Sequence, residues 1–169
     1  PRLKLYLGEE LYYDSKMVQR LREGRALTLN GTQYVLAEFP VYVDYPYIRQ
    51  AVQDLWAAGY LPVLAHIERY EVLKKMDCVE ELVELGAYIQ VNAESVIGKA
   101  GFRTKHYLMK LIKKDLVHFV GTDAHNISSR PPQMKVCAAY LKKKAGAEKA
   151  QMLCSRNAKK ILKGEKIGE

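Results

Sequence analysis

Short apolar runs recur along this chain at a nearly constant interval, and a polar or charged residue stands near the end of each run. These polar residues lie 26 to 31 positions apart. An interval of this length accommodates one strand and one helix, so the pattern predicts β and α units that alternate around a parallel sheet. The predicted strands cover residues 3–13, 33–39, 61–67, 87–92 and 116–122.

The segments between these runs carry helix signals. The second segment places apolar side chains on one face at helical spacing, and Gly59 suits the left-handed position at the end of a helix. Asp77 and Glu80 form a variant of the capping box that predicts the start of another helix. Asn30 and Gly31 predict a small hairpin before the second strand. The predicted helices cover residues 14–24, 47–58, 77–86 and 105–113.

Strands that alternate with helices build a parallel sheet covered on both faces, either doubly wound or closed into a barrel. In both architectures the functional residues gather at the C-terminal ends of the strands. A complete eight-unit barrel takes about 250 residues, whereas five units are recognisable in these 169 residues. We therefore expect one α/β domain over residues 1–169 that lacks the first units of a full barrel.

The polar residues near the strand ends form the candidate site. Glu10, Glu38 and His66 follow the first three runs, and Asp123 and His125 follow the fifth. Charged groups beside buried apolar runs are costly unless they are paired or bind a metal. Carboxylates and imidazoles without a thiolate suit divalent Mn, Fe or Zn. The sequence therefore predicts a metal site with these five residues as ligands.

Two arginines near the same edge indicate the substrate. Arg69 and Arg130 lie shortly after His66 and His125, and guanidinium groups bind phosphate oxygens in a bidentate manner. Pro131 and Pro132 are expected to stiffen the loop after Arg130 and to open the next helix. The sequence offers no convincing Ser or Cys nucleophile. The combination predicts hydrolysis of a phosphate ester by metal-activated water.

Composition excludes several other classes. The chain has 27 basic and 19 acidic residues, for a net charge of +8, but no basic patch with interleaved aromatic residues argues for nucleic-acid binding. No apolar run is long enough to span a bilayer, so we expect no membrane insertion. The three cysteines are odd in number and lack metal spacing, which predicts buried reduced thiols and a cytoplasmic location. His106 and His118 are assigned to a helix surface and a strand, outside the site.

Several motifs together carry a family resemblance that runs through nearly the whole chain. The chain resembles the bacterial metal-dependent tyrosine phosphatases of capsule and exopolysaccharide operons, which belong to the polymerase and histidinol phosphatase (PHP) family. The motifs are Gly-Glu-Glu-Leu-Tyr-Tyr, Tyr-Val-Leu-Ala-Glu-Phe, Ala-His-Ile-Glu-Arg-Tyr, Gln-Val-Asn-Ala, Asp-Ala-His-Asn and Arg-Pro-Pro.

The resemblance implies a distorted α/β barrel that holds up to three metal ions, usually manganese. It implies hydrolysis of phosphotyrosine on the C-terminal tail of a partner tyrosine kinase, in the control of polysaccharide synthesis. The site residues correspond one by one: Glu10, Glu38, His66, Asp123 and His125 match metal ligands, and Arg69 and Arg130 match phosphate-binding arginines.

One departure from the family pattern leaves alternatives open. The family begins with a strand that carries His-x-His and a further metal-binding histidine, which these 169 residues do not contain. We therefore expect fewer metal ligands, an open barrel edge and reduced activity, with a homo-oligomer as one way to cover that edge. The alternatives are a phosphatase for a small ester such as histidinol phosphate, and a metal-free scaffold that binds an acidic partner.

Overall fold

The computed structural model describes residues 4–168 and contains a five-stranded, all-parallel sheet. The strands follow one another in space as they do in the chain, in the order β1-β2-β3-β4-β5. This arrangement confirms the predicted alternation of strands and helices. The strands are β1 (Glu10–Tyr12), β2 (Tyr34–Glu38), β3 (Leu61–Leu64), β4 (Tyr88–Asn92) and β5 (Phe119–Gly121).

Helices fill the connections between the strands, and the four helices predicted from the sequence are all present as α1, α2, α3 and α5. A π-helical segment, Met152–Arg156, joins the last two helices, and short 3-10 turns cover Leu29–Gly31, Ile67–Arg69 and Glu71–Lys74. The helices are α1 (Met17–Arg22), α2 (Tyr45–Ala57), α3 (Met76–Glu84), α4 (Ala93–Ile97), α5 (Phe102–Lys113), α6 (Met134–Ala145), α7 (Ala147–Gln151) and α8 (Asn157–Lys163).

The first strand is shorter than predicted. Only Glu10–Tyr12 pair with a neighbour, β2, and residues 4–9 have no regular structure. Leu5 and Leu7 are 86% and 71% exposed, so the apolar run before Glu10 does not enter the core. The prediction of a strand over residues 4–9 is wrong because this segment lacks strand pairing, and residue 3 lies outside the described residues.

Two local predictions are also wrong. Helix α3 begins at Met76 with Asp77 inside its first turn, and no side chain caps it, so Asp77 and Glu80 do not form a capping box. Asn30 adopts a left-handed backbone conformation within the 3-10 turn. No hairpin follows, because β2 pairs in parallel with both of its neighbours and has no antiparallel partner among the described residues.

The sheet separates two apolar layers of unequal size. The larger layer lies between the sheet and helices that include α2, α3 and α5, and it buries residues such as Leu55, Leu82 and Leu111. The smaller layer, on the other face, contains Tyr34, Leu61, Val63, Phe119 and Ile161. Burial on both faces explains why all four residues of β3 are buried.

The sheet is open over the described residues, since β1 and β5 each pair with one strand only. Its strand order also shows no reversal, which a doubly wound sheet would have at its switch point. Among the same residues, each helix is too short or too polar to span a lipid bilayer. The parallel strands end along one edge of the sheet, which is where the candidate site lies.

Candidate active site

Three predicted ligands converge at the ends of the first three strands. Glu10 belongs to β1, Glu38 ends β2, and His66 follows β3 by two residues. The Nε2 atom of His66 lies 2.8 Å from Oε1 of Glu10 and 3.2 Å from Oε1 of Glu38. All three potential ligand atoms lie within 4.8 Å of one another. We call Glu10, Glu38 and His66 the carboxylate cluster.

The backbone around His66 directs its ring into this cluster. His66 has a φ of 33°, a left-handed conformation that is uncommon for a non-glycine residue. Its backbone N–H donates to Oε1 of Gln90 on β4, and its side chain is only 3% exposed. The Nδ1 atom is buried and has no hydrogen-bond partner among the described residues. The polar contacts of the ring therefore lie at Nε2, which faces both carboxylates.

The donor set of the carboxylate cluster fits a divalent metal ion. Two carboxylates and one imidazole are ligands that Mn, Fe and Zn accept. Without a cation the cluster is poorly balanced, because a single imidazole nitrogen faces two acceptor groups. A divalent cation at this point would neutralise both carboxylates. We therefore consider Glu10, Glu38 and His66 able to hold one metal ion.

Asp123 lies beside the cluster and binds both predicted phosphate arginines. It follows β5, and its Oδ2 atom accepts hydrogen bonds from Nη2 of Arg69 and Nη2 of Arg130. Nδ2 of Asn92 donates to the same oxygen at 3.0 Å. Nη1 of Arg69 lies 3.9 Å from Oε1 of Glu38, so Arg69 bridges Asp123 and the carboxylate cluster. We call Arg69, Arg130 and Asp123 the arginine pair with its carboxylate.

The environment of Asp123 keeps its side chain ionised. Burial raises the pKa of this carboxyl, but the charge of Arg69, the hydrogen bond from Asn92 and the charge of Arg130 outweigh burial and hold the pKa below its usual value. Both arginine side chains are about one third exposed. Each therefore retains N–H groups that can reach an anion from solvent.

His125 lies outside the carboxylate cluster and contacts Asp123. Its side chain is 57% exposed, and its Nδ1 atom lies 2.9 Å from the carbonyl oxygen of Asp123 and 3.5 Å from Oδ1 of Asp123. Asp123 has a φ of 48°, so the chain turns here and does not continue as the extended segment that would place both side chains on one side. Metal binding by Asp123 and His125 stays a prediction.

The loop that carries Arg130 is organised by Asn126. Oδ1 of Asn126 accepts the backbone N–H groups of Ser128 and Arg130, at 3.0 and 2.9 Å. These bonds fold residues 126–130 into a compact turn that brings Arg130 back to Asp123. Helix α6 begins at Met134, shortly after Pro131 and Pro132, as the two prolines predict. Asn126 belongs to a quoted sequence motif, but sequence reasoning gave it no role.

Sequence reasoning gave no role to three polar residues behind the site, of which Glu68 and Asn92 are buried and Gln90 is half-buried. Oε1 of Glu68 accepts the backbone N–H of Asn92 at 2.9 Å. Nε2 of Gln90 donates to Oδ1 of Asn92 at 3.1 Å, and Nδ2 of Asn92 donates to Asp123. Burial raises the pKa of Glu68, against hydrogen bonds from Ser95 and Asn92. The sequence signal that could have identified Asn92 is its position at the end of β4. Glu38 and His66 also lie at the end of a strand or just after one.

The remaining histidines and the cysteines lie elsewhere. Burial lowers the pKa of His118 to about 4, and its Nδ1 accepts the backbone N–H of Ile89 at 3.0 Å. His106 is exposed on α5 and stacks on Phe102. All three cysteines are free, but only Cys137 is fully buried. The assignment of both histidines outside the site agrees with these positions.

The fold and the site together define a class of protein. It is an α/β protein with a parallel sheet, in which a cluster of carboxylates and imidazole stands beside two arginines at the strand ends. Residues 1–163 match the family described as capsular polysaccharide synthesis, CpsB/CapC, and the chain belongs to this family. This membership confirms the resemblance drawn from the sequence motifs.

Curated relatives and a solved structure agree with this assignment. The tyrosine-protein phosphatase CpsB of Streptococcus pneumoniae is 36% identical over 171 residues, which cover 98% of this chain and 70% of the relative. The tyrosine-protein phosphatase YwqE of Bacillus subtilis strain 168 is 35% identical over 161 residues, which cover 95% of this chain and 63% of the relative.

A chain from a crystallographic study of YwqE and CpsB, described there as unique metal-dependent tyrosine phosphatases, superposes with a TM-score of 0.87 at 35% identity. The match covers 95% of this chain and 65% of that one. This chain therefore spans roughly two thirds of the length of these proteins.

Proposed function

We propose that this chain is the metal-binding and phosphate-binding part of a metal-dependent protein-tyrosine phosphatase that acts in capsular polysaccharide synthesis. The observation that carries this proposal is the arrangement at the sheet edge. A cluster suited to a divalent cation lies beside two arginines that share one carboxylate oxygen. The relatives CpsB and YwqE are both named tyrosine-protein phosphatases, which supports the same activity for this chain.

In this function each group has a separate task. Glu10, Glu38 and His66 would hold a metal ion, and when bound this ion supplies Lewis-acid activation of water and of the phosphate ester. Arg69 and Arg130 would bind the non-bridging oxygens of the phosphate through their solvent-facing N–H groups. Asp123 holds both guanidinium groups in place, so their positions are fixed before the substrate arrives.

Further parts of the proposal go beyond this geometry. We propose manganese as the native metal, with Fe or Zn as substitutes and with Asp123 and His125 as ligands of additional ions. The substrate would be the phosphotyrosine-bearing tail of a tyrosine kinase. We also propose that the five units form part of a distorted barrel, since consecutive strand order is the order of a barrel. The free thiols support a cytoplasmic location.

The test combines metal analysis with turnover in one protein preparation. Metal content is measured by mass spectrometry, and phosphate release from a phosphotyrosyl peptide is measured with Mn²⁺ or with a chelator. We expect retained metal and release that the chelator stops. Glu38→Ala should lose both, whereas Glu84→Ala, at an exposed glutamate on α3, should keep both.

The same assay includes histidinol phosphate as a competing substrate class. Faster hydrolysis of this small ester than of the peptide would contradict the assignment to protein phosphotyrosine. Absence of both retained metal and turnover would contradict the proposal for this chain. Binding of an acidic peptide that needs neither metal nor phosphate would replace it with a scaffold role.

A further inference from the structure

Strand β4 ends at a buried asparagine, Asn92, whose side chain and backbone N–H are both hydrogen-bonded. Asn92 is 2% exposed, and both the oxygen and the nitrogen of its side-chain amide form hydrogen bonds. Its Oδ1 accepts from Nε2 of Gln90 at 3.1 Å, and its Nδ2 donates to Oδ2 of Asp123 at 3.0 Å. The amide orientation is determined by these partners, because Asp123 offers only acceptor atoms.

The oxygen that Asn92 contacts is the one on which both arginines converge. Nη2 of Arg69 and Nη2 of Arg130 donate to Oδ2 of Asp123, as does Asn92. Of these three donors, only Asn92 belongs to a regular strand within the sheet. Both arginines come from segments without long regular structure, a single 3-10 turn and a loop. The rigid element that fixes this oxygen is therefore β4.

One further contact holds Asn92 itself. Oε1 of the buried Glu68 accepts its backbone N–H at 2.9 Å. Glu68 directly precedes Arg69 in the chain, and both residues lie in the same 3-10 turn. This turn therefore connects the residue that holds Asn92 to one of the two arginines proposed to bind phosphate. Gln90, which donates to Asn92, also accepts the backbone N–H of His66. The same strand thus contacts both parts of the site.

A glycine on the neighbouring strand makes room for this arrangement. A Cβ atom at Gly121 would lie 2.5 Å from Nε2 of Gln90, the atom that donates to Asn92. Any larger residue at this position would push Gln90 away.

We infer that Asn92 is a positioning residue, which sets the place of Asp123 and through it the phosphate-binding geometry of Arg69 and Arg130, with Glu68 as its anchor. The inference rests on the proposed phosphate-binding role of the two arginines. Asn92 acts through Asp123 and contacts neither the metal cluster nor the phosphate. Its loss should therefore weaken phosphate binding while the carboxylate cluster keeps its metal ion.

The experiment measures the binding of inorganic phosphate by calorimetry and the metal content by mass spectrometry on the full chain. Asn92→Asp keeps the size of the side chain but replaces the donor with an oxygen that faces Asp123. We expect it to weaken phosphate binding about 10-fold or more. Asn92→Ala should weaken binding several-fold, and both variants should retain at least one metal ion per chain, the ion of the carboxylate cluster.

A matched control separates positioning from a general loss of stability. Asn157 is also a buried asparagine, and its Nδ2 donates to the carbonyl oxygen of His118 at 2.8 Å, away from the site. Asn157→Ala should lower the melting temperature as Asn92→Ala does, but leave phosphate affinity unchanged. Equal losses of phosphate affinity in the two variants would overturn the inference.

Glu68 supplies a conservative comparison. Glu68→Gln keeps an oxygen that can accept the backbone N–H of Asn92, whereas Glu68→Ala removes it. We expect Glu68→Gln to retain more phosphate affinity than Glu68→Ala, and the reverse order would count against the anchor role.

The outcomes also separate this inference from the proposed function. Phosphate binding that depends on Asn92 in a protein without turnover would support positioning and contradict the phosphatase proposal. Wild-type affinity in Asn92→Asp, or no phosphate binding by the wild type, would overturn the positioning role whatever the turnover.

Discussion

The two parts of the site differ in how completely their charges are balanced. In the arginine pair with its carboxylate, one oxygen of Asp123 accepts three hydrogen bonds, two of them from cations. In the carboxylate cluster, Glu10 and Glu38 share a single imidazole nitrogen. The first part is satisfied by the protein alone. In the second part the carboxylates have only this nitrogen and the more distant Arg69, 3.9 Å from Glu38, among the described residues, so it has more capacity to bind a further cation.

Arg69 lies where the two parts meet. It binds Asp123 and its other terminal nitrogen lies 3.9 Å from Glu38. A phosphate bound by Arg69 would therefore lie next to the carboxylate cluster. The comparison between the two parts can be tested by variants that affect one part and leave the other intact.

The largest effect is expected from His66→Ala. This change removes the imidazole that both carboxylates contact, and even changes to residues behind metal ligands cost about 10- to 100-fold in affinity or activity. We expect metal content to fall to background and phosphate release to fall by more than about 100-fold. Retained metal would show that the cluster is not the binding site. His106→Ala, on the surface of α5, serves as the control.

The next largest effect is expected from Arg130→Lys. Lysine keeps the positive charge but loses the planar fork that reaches Asp123 and a phosphate together. We expect kcat/KM for a phosphotyrosyl peptide to fall about 10- to 100-fold, while metal content stays at the wild-type value. A parallel loss of metal would mean that the two parts are not separable. The exposed Arg22→Lys variant should behave as wild type.

Asp123→Asn tests whether the charge of Asp123 stabilises the arginine pair with its carboxylate. The test is the pH dependence of the free energy of unfolding. A lowered pKa in the folded protein means that the ionised carboxyl stabilises the fold above about pH 4 and that this contribution disappears as the pH falls through the lowered pKa. We expect Asp123→Asn to lower the free energy of unfolding by about 1 to 3 kcal/mol at pH 7.

The difference between wild type and Asp123→Asn should shrink towards pH 3, as measured by urea unfolding with a chelator present. A difference that stays constant with pH would exclude the charge interaction as its cause. Asp77→Asn, at an exposed position on α3, controls for the loss of a surface carboxylate.

The smallest effect is expected from Glu10→Gln in the absence of metal, because Glu10 has, within the described part of the chain, no arginine contact like the one between Glu38 and Arg69. The ligand oxygens of Glu10 and Glu38 lie within 4.8 Å of each other, and two like charges at such a distance repel by about 1 kcal/mol even in water. Removing one charge should raise the melting temperature of the chelated protein by about 2 to 4 °C, while metal content falls. A lower melting temperature would mean that the cluster is balanced without a cation.

The spacing of apolar runs was sufficient to predict the sheet, because buried parallel strands and amphipathic helices leave periodic patterns. It was also sufficient to bring Glu10, Glu38 and His66 together, because parallel strands end at one edge. No such pattern predicts in which direction a side chain points once the strand has ended. Asp123 and His125 do not project from one side of an extended segment, because the backbone of Asp123 is left-handed, which the sequence does not reveal.

Buried polar partners were the hardest feature to predict. Glu68 and Asn92 meet through a backbone N–H, and no residue pattern marks such a bond before the strand and the turn are in place. The exposed segment at residues 4–9 was mispredicted for a related reason. Its apolar residues match a strand pattern, but pairing depends on a neighbour that local sequence does not encode.

The consecutive order of the strands has a consequence for how the protein is made. Each strand docks on the one synthesised before it, so every new contact closes a short loop, which costs little chain entropy. The carboxylate cluster, with the Gln90 contact that holds His66, is complete once β4 has docked, whereas the arginine pair needs β5. A nascent chain emerging from the ribosome can therefore assemble the acidic part of its site while the segment that carries Arg130 is still being translated.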